Sequence, residues 1–238
     1  MQKIIFFDTE TTGNTEKDFL CQIAYKNGEE QFSGLYKPPI KIPPEASAVH
    51  HITNKMVADK PSFQESGDSQ KIKELFETKD TIVVAHNAPF DLMIIKKENI
   101  IPNKFICTLR VARHLDKDGK IDRYNLQYLR YYLDIEIDAT AHDALGDVLV
   151  LEQLFKRLKK KIIDEESLDE NSAIKQMIEI SSHPSILRTF NFGKHLGKKI
   201  EEVATVDRGY LEWLLAQKEA SDQIDEDWIY TLRHYLGK

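Results

Sequence analysis

The first half of the chain alternates short apolar runs with polar, turn-forming stretches. Lys3–Phe7, Leu20–Lys26 and Gln31–Tyr36 are rich in aromatic and aliphatic residues and have the length of strands. The second and third of these are joined through Asn27-Gly28, a dipeptide suited to the positive backbone angles of a tight hairpin. A loop segment follows, then a helical pattern near Gln70–Glu77, a β-branched strand at Thr81–Ala85 and the amphipathic stretch "FDLMIIKKENI" from Phe90. A short strand near Phe105–Cys107 and further helices to Lys160 complete this part. Three meander strands followed by β-α-β-α predict an α/β domain: a mixed five-stranded sheet with helices on both faces.

Beyond it the pattern changes. Lys159–Ile180 is charged and helix-prone, and Asp164–Glu170 is the predicted boundary, where few contacts would cross. The segment "HPSILRTFNFGKHLGKKIEEVATVDRGYLEWLL" then predicts a β-turn-β with two glycines, a helix near Ile200–Ala204 and a second helix after Asp207-Arg208-Gly209. The division expected is a domain at 1–160, a charged helical linker at 161–183 and a small α+β module at 184–238.

A chain of 238 residues is long enough for a sizeable core. Two cysteines, Cys21 and Cys107, without metal-type spacing, imply a reducing compartment and no disulfide framework. The apolar run Ile4–Phe7 is too short for a secretory signal or a membrane span, so a cytoplasmic location without a membrane partner is expected. A formal charge of −6 argues mildly against a nucleic-acid partner. Part of it, however, sits in "DEESLDE" at Asp164–Glu170, which leaves Lys159–Lys161, Arg188, Lys194, Lys198 and Lys199 as local basic patches, either solvated faces or phosphate contacts.

The chemistry begins in "IIFFDTET" at Ile4–Thr11. Alternate side chains of a strand share a face, so Asp8 and Glu10 project together while Thr9 points away. Two like charges side by side are costly unless neutralised, and a divalent cation does this most directly; a strand ending at a polar loop is the plain alternative. Two more acid-bearing segments follow: "TIVVAHNAPFD", ending in Asp91, and "AHDALGDVLVLEQLFKRLKK", with His142 ahead of Asp147 on a long helix. In the plain alternative Asp91 and Asp143 are helix-start residues favoured by the helix dipole, Asp147 is a solvated helix residue and His142 a polar cap residue.

Taken together, Asp8-x-Glu10, His86-Asn87-Ala88-x-Phe90-Asp91 and His142-x-Ala144-x-x-Asp147 resemble the three motifs of the DEDDh 3′→5′ exonucleases, the DnaQ-like group. "PPEASAVHHITNKMVADKP" at Pro43–Pro61 and "ICTLRVARHL" at Ile106–Leu115 are similar to further stretches of that family. The resemblance covers Lys3 to Leu158 and implies a ribonuclease H-like fold. The "FNFGKHLGKK" stretch resembles the module attached to the nuclease of exodeoxyribonuclease X, which extends the likeness over nearly the whole chain. It implies Asp8, Glu10, Asp91 and Asp147 as metal ligands and His142 as general base. By position, Thr9, Thr11, Thr12, His50, Ile52, His86, Asn87 and Phe90 are implied as substrate contacts, with core packing the alternative for Ile52 and Phe90.

Carboxylate oxygens without thiolates select Mg²⁺, with Mn²⁺ able to substitute. Two ions about 3.5–4 Å apart would clamp the scissile phosphate while His142 takes a proton. The implied reaction is release of nucleoside 5′-monophosphates from single-stranded DNA or DNA 3′ ends, in repair or recombination. RNA is the alternative substrate, and a catalytically silent binding module the alternative of another class. A protein partner of the C-terminal module is not specified. Two departures stand out: Asn14 replaces an apolar residue of many relatives, and Gln22 stands where an acid is usual on the second strand.

Overall fold

A computed structural model describes residues 2–137, 144–221 and 224–238. Five strands form one mixed sheet in the order β3-β2-β1-β4-β5. They are β1 (Lys3–Thr11), β2 (Leu20–Asn27), β3 (Glu30–Leu35), β4 (Thr81–Ala85) and β5 (Phe105–Cys107). β1 runs antiparallel to β2 and parallel to β4, and β4 is parallel to β5. This is the expected ribonuclease H-like arrangement. The β2–β3 hairpin closes through Gly28 and Glu29, with Gly28 at φ +60°.

β1 extends past the predicted Phe7, because β2 continues to pair with it: Asp8 opposite Ala24, Thr9 opposite Ile23, Glu10 opposite Gln22. A register irregularity follows between Glu10 and Thr11. Both acids therefore sit on strand backbone held from one side, which fixes the direction of their side chains.

The two-residue period divides the core. Phe6, Ala24, Ile82, Val84 and Ile106 face one way, onto α7 (Ala144–Glu166), where Phe155 meets the Phe6 ring edge-on at 5.2 Å. Ile5, Phe7, Ile23, Tyr25 and Val83 face the other way, onto α3 (Gly67–Glu77) and α4 (Ala88–Lys97), where Phe7 meets Phe76 at 5.1 Å. Each such side chain contributes roughly 1.5–3 kcal/mol by leaving water. The segment expected as loop between β3 and α3 holds two short helices, α1 (Pro44–His50) and α2 (Asn54–Val57). Pro44 supplies the pre-set φ of a first helical residue. Two helices follow β5: α5 (Thr108–Leu115) and α6 (Leu126–Tyr132).

The charged stretch 161–183 differs from a linker. α7 runs on to Glu166, and α8 (Glu170–Ser182) lays Ala173, Ile174 and Met177 into the same core as Phe6 and Phe155. Its charges lie on the outer face, so a composition that reads as solvated belongs to a helix with one buried side.

After it, the predicted β-turn-β is reduced to a single antiparallel bridge, Thr189 with Lys199. The intervening residues are taken up by a turn of 3-10 helix at Gly193–His195, with Gly193 and Gly197 both at positive φ. α9 (Ile200–Val206), α10 (Arg208–Glu219) and α11 (Glu226–Leu236) enclose a separate small core of Phe190, Leu211, Trp228 and Leu232, so this part is mainly helical.

Candidate active site

Asp8 and Glu10 lie on the sheet face that meets α7, and Asp147 sits in the first turn of that helix. Each of the three offers a carboxylate oxygen, and these oxygens lie within 4.8 Å of one another. They share a cavity of about 290 Å³ with Thr9, His86 and the segment Asn125–Gln127. Three carboxylates this close repel, and a divalent cation is the counter-charge that oxygen-only ligands suit, Mg²⁺ or Mn²⁺ before zinc.

Asp91, expected as a fourth ligand, is not in this group. It is buried on α4 and approaches β1 from the opposite face, where its Oδ1 accepts hydrogen bonds from Thr9 N at 3.2 Å and Thr9 Oγ1 at 2.7 Å. The cause is the strand period: Thr9 faces away from its two acidic neighbours, and Asp91 meets it there. Burial pushes the Asp91 carboxyl up to about 7, against the pull of the Thr9 bonds. Asp91 thus grips the one backbone residue between Asp8 and Glu10. His142 lies outside the described residues.

Several of the other expected contacts have protein partners. Thr11 Oγ1 donates to Gly13 O, and Thr12 Oγ1 donates to Asp18 Oδ1 at 2.9 Å, which ties down the loop carrying Asn14. His50 is buried, donates from Nε2 to Thr11 O at 3.2 Å and accepts from Ile52 N on Nδ1 at 3.0 Å; burial lowers its pKa, so the neutral ring fits. Ile52 is core, packed with Cys21, Ile42 and Val57. Phe90 is half-buried against the α3/α4 core, whereas Asn87 is exposed at φ 65° as the cap of α4. Gln22, opposite Glu10, bonds Ser33 Oγ at 3.1 Å and directs its amide toward β3.

His86 lines the cavity, yet both ring nitrogens are engaged. Nε2 donates to Tyr124 O at 2.6 Å, and Nδ1 meets Thr108 Oγ1 at 2.9 Å. Burial lowers the His86 pKa to about 4, so the ring is neutral near pH 7, with Nε2 protonated toward the Tyr124 carbonyl and the Thr108 hydroxyl lying between His86 Nδ1 and Ala85 O. Its task is to anchor the segment that follows Tyr124.

Comparison with known proteins decides the family. The model of an exonuclease family, RNase T, matches residues 5–155. The chain belongs to the RNase T exonuclease family. A second family model, described as exodeoxyribonuclease X-like C-terminal, matches residues 190–219 of this exonuclease. Exodeoxyribonuclease 10 of Escherichia coli K12 is 34% identical over 206 residues, which cover 86% of this chain and 84% of that protein. The DNA polymerase III epsilon subunit of Treponema pallidum is 33% identical over 163 residues, covering 63% of this chain and 73% of that protein. A solved structure of exonuclease X in complex with 5′ overhanging duplex DNA superimposes with a TM-score of 0.58 at 26% identity, covering 75% of this exonuclease and 99% of that chain.

One contributor escaped the sequence reading. Gln127 Nε2 donates to Asp147 Oδ1, while its Oε1 accepts from Arg130 Nη1 at 3.4 Å, so Gln127 relays a guanidinium's positive character to the carboxylate. Nothing in the local pattern singles out a glutamine on a short helix. The signal available was the cap: Asn125 accepts from Tyr128 N and sets the first turn of α6 toward the cavity.

Proposed function

We propose that this exonuclease hydrolyses DNA from the 3′ end and releases nucleoside 5′-monophosphates, with Asp8, Glu10 and Asp147 holding divalent cations, Mg²⁺ in preference. The convergence of these three carboxylate oxygens within 4.8 Å in an open cavity carries the reading. The names of similar proteins point to DNA as substrate, among them exodeoxyribonuclease 10 and a duplex-bound exonuclease X. Bound cations would lower the pKa of the attacking water and stabilise the leaving 3′-oxygen.

The chain's own residues do the rest. Asp91, through Thr9, holds the strand between the two acids, and Gln127 fixes the Asp147 carboxylate; both positions are set before substrate arrives. His142 serves as the base that takes the proton of the attacking water, since a histidine with an ordinary pKa near 6.5 exchanges protons at neutral pH. A role in DNA repair or recombination is part of the same proposal.

The test uses single strands of DNA and RNA labelled at either end, incubated with Mg²⁺. Loss of a 3′ label as mononucleotide from the first time point, with a 5′-labelled ladder that shortens stepwise, is the expected result on DNA. Release of the 5′ label first, or turnover of RNA in preference to DNA, overturns the polarity or the substrate respectively.

A further inference from the structure

A second cavity, of about 50 Å³, lies where the C-terminal part meets the nuclease, and Arg113, Asp122, Tyr124, Arg188, Thr189 and Asn191 line it. Its key residue is Arg188. The backbone of Arg188 is fixed, because its carbonyl accepts from Ile200 N at 2.9 Å and its neighbour Thr189 bridges Lys199. Its stem rests on Gly119: a Cβ added there, at φ +67°, would stand 3.0 Å from the Arg188 Cβ. Its guanidinium is different. The side chain is half-buried, its Nε is enclosed without a hydrogen-bond partner, and no carboxylate pairs with it among the described residues. An enclosed N–H without a partner is costly, and the rest of the guanidinium, with no carboxylate beside it, is open to an anionic ligand.

The surroundings define that ligand. Arg113 brings a second guanidinium, already paired with Asp227, and Thr189 and Asn191 add hydroxyl and amide donors. The Arg188 guanidinium, the part of Arg113 that Asp227 leaves over and two neutral donors around a pocket of this size fit the oxygens of one phosphate. Asp122 is the one carboxylate in the lining, so the two arginines have to outweigh its repulsion of an anion.

The pocket's position says where the phosphate comes from. Tyr124 lines this cavity, its carbonyl is held by His86, and the next residues, Asn125–Gln127, line the catalytic cavity. The two cavities flank one continuous stretch of chain in which neighbouring Cα atoms are about 3.8 Å apart. A strand whose 3′ end occupies the carboxylate site can place a phosphate a few nucleotides upstream against Arg188.

We propose that this junction cavity is a backbone-phosphate subsite for the substrate strand, with Arg188 as its principal ligand, so that the C-terminal part extends the nuclease's grip on nucleic acid. The inference rests on the DNA-exonuclease reading above. It makes the Arg188 site a device for length discrimination: a dinucleotide is too short to reach it, while a 12-mer fills both cavities.

The experiment measures kcat/KM and binding for full-length wild type, Arg188→Gln, Arg188→Lys and Asn191→Asp, on a DNA dinucleotide and a 12-mer. Binding is followed by fluorescence anisotropy in Ca²⁺ across a salt series, and folding by thermal melting. Arg188→Gln is expected to lower the 12-mer to dinucleotide ratio of kcat/KM by about tenfold, the weight of one charged hydrogen-bonding contact. It should also flatten the salt dependence of 12-mer binding by about 0.7 in log–log slope, as for one phosphate contact to a single strand. Arg188→Lys should restore the slope, and the exposed Asn191→Asp should lower the ratio without disturbing the fold. An unchanged ratio and slope in both Arg188→Gln and Asn191→Asp overturns the proposal. So does a thermal shift by inorganic phosphate that vanishes in Arg188→Gln while the DNA ratio stays constant, which would assign the cavity to free phosphate. Absence of turnover on any DNA by the wild type would instead refute the functional reading.

Discussion

On β1, Asp8 and Glu10 project to one face because a strand's period is two, and Thr9 projects to the other. Asp91 meets β1 at Thr9, the residue between them. Motif order groups Asp91 with the other acids, and its Oδ1 accepts from Thr9 Oγ1 at 2.7 Å, a tertiary contact that no local pattern shows. His142 carries the sharpest residue-scale prediction: His142→Ala lowers kcat by roughly 10²–10⁴-fold, the usual weight of a general base, with a smaller effect on KM. A mutant that keeps the wild-type acidic limb in its pH–rate profile at near wild-type rates removes His142 from that role. His86 predicts a stability effect. Its pKa lies near 4 in the fold, against 6.5 for the free side chain, because burial disfavours the cation. The neutral form is therefore preferred, so stability is full above pH 6.5 and is lost as pH falls from 6.5 through 4, by up to about 3 kcal/mol. Urea melts at a series of pH values check this: His86→Gln should lose less stability than wild type across that window, and parallel profiles would contradict it.

At the scale of elements, apolar runs revealed β2, β4 and β5 and the helices behind them, since each buries a continuous or strictly alternating face. α8 was legible as a helix, but its buried side was masked by its surface. Lysines and glutamates between Lys159 and Glu179 dominate the composition, while the buried Ala173, Ile174 and Met177 are few. The small β-turn-β was over-read for the opposite reason: Phe190, Phe192 and the two glycines imitate a hairpin, but the aromatic rings pack on Trp228 instead of forming a sheet face. α8 is fastened through Ser181, whose Oγ accepts from the buried Cys107 N at 2.8 Å and donates to Met177 O at 2.6 Å, while its carbonyl accepts from Arg110 at 2.8 Å. Ser181→Ala preserves volume and strands the Cys107 N–H, a loss of about 1–3 kcal/mol. A lowered denaturation midpoint with little change in turnover is expected; an unchanged midpoint would show that α8 is held by packing alone.

Over the whole molecule, the carboxylate site and the C-terminal part are linked by one side of the nuclease. α5 carries Arg110 and Arg113, which pair with Glu226 and Asp227 on α11, and Asp227 also accepts from Ser185 N at 2.6 Å. Leu187 N bonds Thr231 Oγ1 at 2.8 Å beside them. The same region of chain, from Tyr124 to Gln127, then reaches the catalytic cavity. No described helix is long and apolar enough to cross a membrane. The central claim is that Asp8, Glu10 and Asp147 together form a cation-dependent hydrolytic centre. Its most direct test is one titration of Mn²⁺ by calorimetry, paired with Mg²⁺-dependent turnover of 3′-labelled DNA, for wild type, Asp8→Asn and Asp147→Asn. The expected result is metal binding and turnover in wild type only, with both amide variants folded, unable to bind the ion tightly and slower by at least about a hundredfold. A folded variant of either acid that keeps more than about a tenth of the wild-type rate, or wild-type turnover that persists without a divalent cation, would contradict it.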